Sequence, residues 1–175
     1  MTPTPEWLQE RLFERRIVFV TGRLDDALAA QATAQIVALD AAGDAPIEVV
    51  LNSGDGTLEA AFAVVDVIDA ARVTVRVQCQ GQVSGPAIVL LAAADDRVAT
   101  PHTTFRLMAP TTQLSGAPDH IAAQSKQHRY LLWRLQARLA KATGRPAEDV
   151  ADDMRRGRYL DAREALAYGL LDGIR

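Results

Sequence analysis

The stretch Val77-Gln-Cys-Gln-Gly-Gln-Val-Ser-Gly-Pro-Ala-Ile-Val-Leu-Leu91 organises the rest of this chain. It predicts a buried strand, a tight glycine-rich turn and then an apolar, fully buried helix. Gly81 and Gly85 supply backbone freedom that residues with a Cβ atom lack, and Pro86 suits the first position of a helix. Such a strand–turn–helix aims the first N–H groups of the helix at one point, which proteins use for anions, oxyanions and nucleophiles. We therefore expect any functional site at this turn.

The composition is that of one well-packed domain. The chain has 175 residues, of which 49% are hydrophobic and 23% charged, with a formal net charge of -3. It lacks the basic excess of nucleic-acid-binding proteins, and its apolar runs are too short to span a membrane. Cys79 is the only cysteine, which excludes an intrachain disulfide and a thiolate metal cage. The first residues show no signal-peptide pattern, so we expect a cytoplasmic protein with no nucleic-acid or membrane partner.

Strand and helix patterns alternate along the first two thirds of the chain. β-rich segments and helix-like segments succeed one another at 17–20, 25–42, 47–51, 58–71, 73–77, 87–94, 97–99 and 103–108. This alternation predicts an α/β fold with right-handed crossovers and a largely parallel sheet. Open sheets of this kind place sites at the carboxyl ends of their strands. We therefore expect the loop 54–56 and the turn 81–85 to be neighbours.

A polar, proline-containing segment at 110–118 breaks this alternation. A long amphipathic helix follows at 119–143, and Gly144 ends it. At about 1.5 Å per residue this helix is longer than a compact sheet layer needs. We therefore predict that it packs on another subunit, with Trp133 in the contact.

Four segments carry recognisable motifs. Glu14–Gly22 is similar to "KERVIFLTG", Ile47–Gly56 to "IYLYINSPGG", Gly81-Gln82 to the start of "GQAASMGA", and Tyr159–Asp172 to "FLSAEEAKEYGLID". Together they resemble the proteolytic subunit of the Clp protease, a member of the ClpP/crotonase superfamily, from about residue 12 to residue 174. The resemblance implies one domain, 1–175, of repeated β-α-β units with a protruding handle helix and strand. Residues 13–110 and 145–175 would form the head and 111–144 the handle, through which two heptameric rings stack.

The resemblance assigns the catalytic triad to three positions that cannot support catalysis. The nucleophilic serine of the family corresponds to Gly85, the general-base histidine of "MIHQP" to Met108, and the orienting aspartate of "DRDNF" to Gly157. A serine hydrolase needs an oxygen nucleophile, a base and a group that orients the base. Glycine and methionine supply none of these. We therefore expect a catalytically inactive, ring-forming subunit with a structural or regulatory role and with no metal or cofactor.

The resemblance also implies a damaged oxyanion hole. Gly56 matches the oxyanion glycine of the family, whereas Pro86 stands where the family has a residue whose amide completes the hole. Proline has no backbone N–H to donate. Half of the oxyanion hole is therefore expected to be missing as well.

The contact between rings is expected to differ from that of the family. Arg156 matches an arginine that pairs with an acid across the seam between two rings, but Arg155 stands at the acid position. Another reading is a solvated basic edge. We expect a self-stacked double ring to be weakened unless Asp152 or Asp153 replaces the acid.

Two other functions stay open. In the first, the chain is a serine peptidase with a rearranged site in which Ser84 is the nucleophile and His102 the base, although Ser84 could equally be a turn serine bonded to local backbone. In the second, the chain is a crotonase-like small-molecule binding module that uses the Gly56 amide. His120 and His128 lie eight residues apart, which is not the i, i+4 spacing of a metal pair.

The expected partners follow from the resemblance. They are further copies of this chain in a ring, or an active Clp proteolytic subunit in a mixed ring. The segment before Leu12 offers little material for the family's axial hairpin, so the resemblance does not extend to docking on the unfoldase ATPase.

Overall fold

The computed structural model describes residues 5–175 as alternating strands and helices. The helices are α1 (Glu6–Glu14), α2 (Asp26–Ala42), α3 (Leu58–Ala70), a 3₁₀ helix (Gly85–Leu90), α4 (Pro118–Thr143), α5 (Ala147–Arg156) and α6 (Ala162–Tyr168). The strands are β1 (Ile17–Thr21), β2 (Ile47–Ser53), β3 (Val75–Ser84), β4 (Asp96–Ala99), β5 (Thr104–Leu107), β6 (Arg158–Leu160) and β7 (Gly173–Ile174).

One seven-stranded sheet forms the centre of the molecule. Its strands run in the order β1-β2-β3-β4-β7 and are all parallel, while β5 pairs in parallel with the end of β3 and antiparallel with β6. Helices α2 and α3 pack against each other, and α3 also contacts the 3₁₀ helix and α4. The predicted α/β fold with a largely parallel sheet is therefore confirmed.

Strand β3 corrects the prediction of a tight turn that starts at Gly81. The strand continues to Ser84, but its register against β2 shifts between Leu51 and Ser53. Gly81 has φ +66°, and a Cβ atom there would lie 2.9 Å from the Asn52 side chain. Gly81 therefore forms part of a β-bulge rather than of a tight turn. Before the bulge β3 pairs with β4 and after it with β5, so the bulge carries Ser84 towards β5.

The segment after β3 corrects the predicted α-helix at 87–94. It forms a 3₁₀ helix of six residues, fully buried as expected, whereas Ala92, Ala93 and Ala94 are only partly buried. Pro86 lacks an N–H, and the β-branched Ile88 and Val89 have low helix propensity, so a short 3₁₀ segment replaces the α-helix.

Helix α4 confirms the long helix of the predicted handle. Its 26 residues span about 39 Å, and its buried side chains are Leu131, Leu135 and Leu139, all in its second half. The predicted handle strand is not formed within the single chain: residues 111–117 are irregular. A strand needs a neighbour that exchanges backbone hydrogen bonds, and no other segment within residues 5–175 pairs with this one. In the part of the chain that is described, no helix is long and apolar enough to cross a membrane.

Candidate functional site

The three positions assigned to the triad meet at one end of the sheet. Ser84 of β3 pairs with Arg106 of β5, so Gly85 follows β3 beside the point where Met108 follows β5. Leu107 pairs with Arg158 in antiparallel register, so Gly157 directly precedes β6 opposite Met108. The fold thus brings Gly85, Met108 and Gly157 together, although they are far apart in the sequence.

Gly85 keeps the backbone geometry of a nucleophile elbow. It sits between a strand and a short helix at φ +58°, which side chains rarely adopt. A Cβ atom built on Gly85 would meet nothing closer than the Gly54 carbonyl oxygen at 3.9 Å. Space for a side chain at the elbow is therefore present, but the chain places no oxygen nucleophile in it.

Ser84 and His102 are not brought together. Ser84 is 1% exposed, and its hydroxyl donates a hydrogen bond of 2.6 Å to the Gly54 carbonyl. His102 is exposed in the turn that precedes β5, four residues before the strand partner of Ser84, which corresponds to on the order of 10 Å along the strand. The Ser84 hydroxyl thus joins the end of β3 to the Gly54 backbone, and His102 is displaced along the strand from it.

The remaining oxyanion amide is already occupied. The Gly56 N–H donates to Oδ1 of Asp55 at 2.7 Å, and Oδ2 of Asp55 pairs with Arg23. Pro86, at the other oxyanion position, has no N–H. A substrate carbonyl would therefore find one donor missing and the other bonded to a carboxylate. Sequence analysis missed Asp55, although it stands at a glycine of the family motif "IYLYINSPGG".

The close approach of the Leu24 backbone leaves no space for a side chain at Gly56. A Cβ atom on this residue would lie 2.4 Å from the Leu24 carbonyl oxygen, because Leu24 and Gly56 form a parallel β-bridge. The Leu24 N–H donates to the Asp55 carbonyl at 2.8 Å, and the Thr57 N–H donates to the Leu24 carbonyl at 3.0 Å. The glycine is thus required by the backbone whether or not the oxyanion function is kept.

A polar cavity of about 390 Å³ lies beside Gly56. It is bounded by the loop before α3, by the segment after β5 and by His128 of α4; its other polar lining residues include Arg23, Asp55, Thr57, Glu59, Thr111, Thr112 and Gln113. His120 is exposed on the same helix and is not among its lining residues. The cavity is large enough for a short peptide segment, but none of the three positions assigned to the triad lines it. Within residues 5–175 no group of three or more His, Cys, Asp or Glu side chains could hold a metal ion.

Arg106 is a second residue that sequence analysis missed. Its guanidinium lies 4.9 Å from the Tyr159 ring centroid, and its Nη2 would be 3.3 Å from a Cβ atom on Gly157. Its Nε is buried and has no hydrogen-bond partner among the described residues. The available signal was the family motif "MIHQP", whose methionine corresponds to Arg106. A cation therefore lies beside the position that the resemblance assigned to an aspartate.

The arginines around Gly157 are mostly paired within the chain. Arg155 pairs with Asp152, and Arg158 pairs with Asp153 at 3.1 Å. Arg156 is exposed and forms no ion pair within residues 5–175. Both acids that could have replaced the seam acid of the family are thus already engaged.

The handle helix exposes large apolar side chains. Trp133 is 61% exposed and stacks on Tyr130 with ring centroids 6.0 Å apart, and Ile121 is also exposed. This exposure agrees with the predicted role of Trp133 in a subunit contact, which stays a prediction.

Comparison with known proteins gives one family. A family model described as Clp protease matches residues 6–175. ATP-dependent Clp protease proteolytic subunit 1 of Corynebacterium diphtheriae is 33% identical over 168 residues, which cover 94% of this chain and 80% of the relative. Subunit 4 of Rhodococcus jostii is 34% identical, with 94% and 86% covered. The subunit of Paracoccus denitrificans is 33% identical, with 91% and 81% covered.

Proposed function

We propose that this chain, which belongs to the Clp protease family, is a catalytically inactive proteolytic-subunit homologue that acts as a structural or regulatory ring subunit. The observation that carries this proposal is the meeting point of β3, β5 and β6. The three adjoining positions there are Gly85, Met108 and Gly157. They provide no nucleophile, no base and no carboxylate to orient a base.

The oxyanion hole gives an independent argument for inactivity. Stabilisation of the developing negative charge is usually the largest single contribution to acyl-transfer catalysis. In this chain Pro86 cannot donate, and the Asp55 carboxylate accepts the Gly56 N–H. A substrate bound here would meet a negative charge at the place where an active enzyme provides donors.

The proposed assembly is a heptameric ring in the cytoplasm, formed with copies of this chain or with an active Clp proteolytic subunit. The exposed Trp133 and Tyr130 on α4 support an interface along the handle. The irregular segment 111–117 would pair with its counterpart in a facing ring. Because Asp152 and Asp153 pair with arginines of their own chain, a stack of two rings of this chain alone is expected to be weakened.

The rearranged peptidase with Ser84 is not supported, because its hydroxyl is buried and donates its hydrogen bond to the Gly54 carbonyl instead of to His102. Burial also raises the pKa of the Cys79 thiol, so this cysteine is not an alternative nucleophile. The crotonase-like binding module requires a free Gly56 amide, and Asp55 occupies that amide.

The first prediction concerns covalent labelling. A fluorophosphonate probe is expected to leave the purified protein unlabelled, because Ser84 is buried and has no base. Labelling is read by intact-protein mass spectrometry, with an active Clp proteolytic subunit as the positive control. Peptide hydrolysis by wild type and by Ser84→Ala is expected to be equal. Labelling that Ser84→Ala abolishes would contradict the proposal and favour the rearranged peptidase.

The second prediction concerns assembly. Native mass spectrometry of this chain alone is expected to show no stable double heptameric ring, whereas mixing with an active relative gives rings that contain both subunits. Trp133→Ala is expected to reduce assembly across the handle, because the substitution removes a large exposed aromatic side chain from the proposed contact. Trp7→Ala is a matched control, since Trp7 is similarly exposed but lies on α1. A stable double ring of this chain alone would contradict the proposed weakening of the seam.

A further inference from the structure

Helix α4 carries positive charge that the described part of the chain balances only in part. Residues 120–143 contain five cations and no Asp or Glu, although the chain as a whole has a formal net charge of -3. Arg138 pairs with Asp69 at 2.7 Å, and Arg134 lies over an aromatic ring of α3. The other three cations are exposed and form no ion pair within residues 5–175. They are Lys126, Arg129 and Lys141.

These three cations share one face of α4 with two large aromatic side chains. A helix turns once in about 3.6 residues, so this face lies opposite the buried Leu131, Leu135 and Leu139. Tyr130 and Trp133 on the same face are both more than half exposed, and their rings stack on each other. The handle face is defined by Lys126, Arg129, Tyr130, Trp133 and Lys141. It extends over about 22 Å along the helix, which matches a partner helix of about 15 residues.

The first half of α4 buries no side chain against the part of the chain that the structure describes. From residue 118 to residue 130 every side chain is exposed or only partly buried, and the apolar Ile121 is among the exposed ones. Helical segments shorter than about 12–15 residues are marginal in water unless they pack on another element. A partner along the handle face would supply the missing contacts.

The charge of the handle face selects against three kinds of partner. In a two-fold contact between copies of this chain the same face meets itself, and no acid between residues 120 and 143 could balance it in any register of α4 against α4. An anionic membrane would need an exposed apolar stripe, but the apolar stripe of α4 is buried. A long nucleic acid would also meet the rest of the chain, which is acidic.

We propose that the handle face binds an acidic amphipathic helix of a different protein chain, with Tyr130 and Trp133 at the centre of the contact and the three cations opposite carboxylates. Aromatic side chains are typical centres of protein interfaces, and complementary charge determines the choice of partner. This inference deepens the proposed function, since it describes the chemistry of the partner subunit. Its charge argument does not depend on whether the chain is catalytically inactive.

Mixing two full-length chains tests the proposal. An inverted variant with Lys126→Glu, Arg129→Glu and Lys141→Glu presents an acidic handle face with the same aromatic pair. At about 0.05 M salt we expect wild type and the inverted variant to associate with a dissociation constant at least about tenfold lower than that of either chain with itself. This gain is expected to disappear at about 1 M salt, where the Debye length is only about 3 Å. Sedimentation velocity with one chain fluorescently labelled measures all three pairs.

A matched control inverts three exposed cations on other elements, α1 and α6. It carries Arg11→Glu, Arg15→Glu and Arg163→Glu, so its net charge equals that of the inverted variant. Wild type is expected to associate with this control no more tightly than with itself. The proposal would be overturned if the control associated with wild type as tightly as the inverted variant does, or if no mixed pair formed with the inverted variant.

Two further measurements locate the contact and separate this inference from the proposed function. Trp133→Ala in the wild-type chain is expected to weaken the mixed pair by at least about tenfold, because a central aromatic side chain contributes most of the binding energy. A mixed pair that is insensitive to Trp133→Ala would overturn the proposal, and so would wild-type binding to a 25-nucleotide single-stranded DNA in place of the inverted variant. Fluorophosphonate labelling of the same samples is read in parallel: labelling contradicts only the proposed inactivity, whereas a missing mixed pair contradicts only the partner of the handle face.

Discussion

The triple substitution Gly85→Ser, Met108→His and Gly157→Asp is expected to restore little peptide hydrolysis, and addition of Asp55→Gly and Pro86→Met is expected to raise kcat by a further factor of about 10²–10³. The elbow has space for the serine, since a Cβ atom there meets only the Gly54 carbonyl oxygen at 3.9 Å. The triad alone is insufficient, because loss of one oxyanion donor in a serine hydrolase lowers kcat by about 10²–10³.

Arg106 adds a second obstacle to the restored triad. The carboxylate introduced by Gly157→Asp would lie beside the Arg106 guanidinium, which competes with the new histidine for it. An aspartate held elsewhere leaves the imidazole without its orienting partner. The five substitutions are therefore compared in the wild-type background and together with Arg106→Met, and the second set is expected to be the more active.

The measurement is kcat/KM for a fluorogenic peptide, taken at the same state of assembly for every variant. The matched control is the full set with Gly85→Ala in place of Gly85→Ser, which retains the packing but lacks the oxygen. This control is expected to stay at background. Full activity in the triple variant alone would show that neither Asp55 nor Pro86 restricts the oxyanion hole.

The fold was predictable from the sequence where local pattern and backbone chemistry agree. Alternating strands and helices with glycine or proline at their ends predicted the parallel sheet. The long helix was evident from its apolar spacing. The features that were predicted wrongly have a common cause, because each depends on contacts with residues that are distant in the sequence. Strand β3 has a bulge at Gly81 because the Asn52 side chain lies close to this residue and because the strand that pairs with β3 changes there. No local sequence pattern indicates either feature.

In the candidate site, only the absence of the catalytic side chains could be predicted from the sequence. Absent side chains at Gly85, Met108 and Gly157 could be recognised from the resemblance, whereas the groups that now surround them could not. Asp55 reaches the Gly56 N–H only because of the loop geometry, and Arg106 faces Gly157 only because β5 and β6 pair antiparallel. Asp55 and Arg106 each stand where the family motif has a different residue. Such a difference alone does not indicate what the new side chain contacts.

The most specific motif, Tyr159–Asp172, has a structural explanation. Asp161 and Glu164 form a reciprocal capping box at the start of α6, and Gly169 ends the helix with φ +91°. Asp172 then accepts hydrogen bonds from the backbone and side chain of Arg97. The motif therefore fixes the last helix and strand to the sheet, which explains why it is recognisable although the catalytic groups are not.

Arg97→Leu is expected to lower the free energy of unfolding at neutral pH by about 2–3 kcal/mol, the effect of removing the partner of a partly buried charge. The Arg97 side chain is 16% exposed and also donates to the carbonyls of Ala142 and Gly169, at 3.3 and 3.1 Å. It thus links β4 to the end of α4 and to the turn before β7. Urea denaturation monitored by circular dichroism measures the change.

The effect of Arg97→Leu is expected to depend on pH. The hydrogen bond from the Arg97 side chain, together with its charge and its backbone N–H, holds the pKa of Asp172 below its usual range. A carboxyl group with a depressed pKa in the folded state stabilises the protein above its unfolded pKa, about 3.9, and loses this contribution as the pH falls through the folded value. The difference in the free energy of unfolding between wild type and Arg97→Leu is therefore expected to be largest at about pH 6–7 and to shrink below about pH 4.

Arg76→Leu is the matched control for this prediction, because it removes an arginine from the same sheet. The Arg76 side chain is 50% exposed and lies 3.6 Å from Asp96, which also has Arg175 at 3.6 Å. An exposed ion pair of this kind contributes little to stability. We therefore expect Arg76→Leu to change the free energy of unfolding by less than about 0.5 kcal/mol. If Arg76→Leu destabilised the protein as much as Arg97→Leu, or if the Arg97→Leu difference persisted undiminished at about pH 2.5, the Arg97–Asp172 pair would not be the anchor of the C-terminal segment.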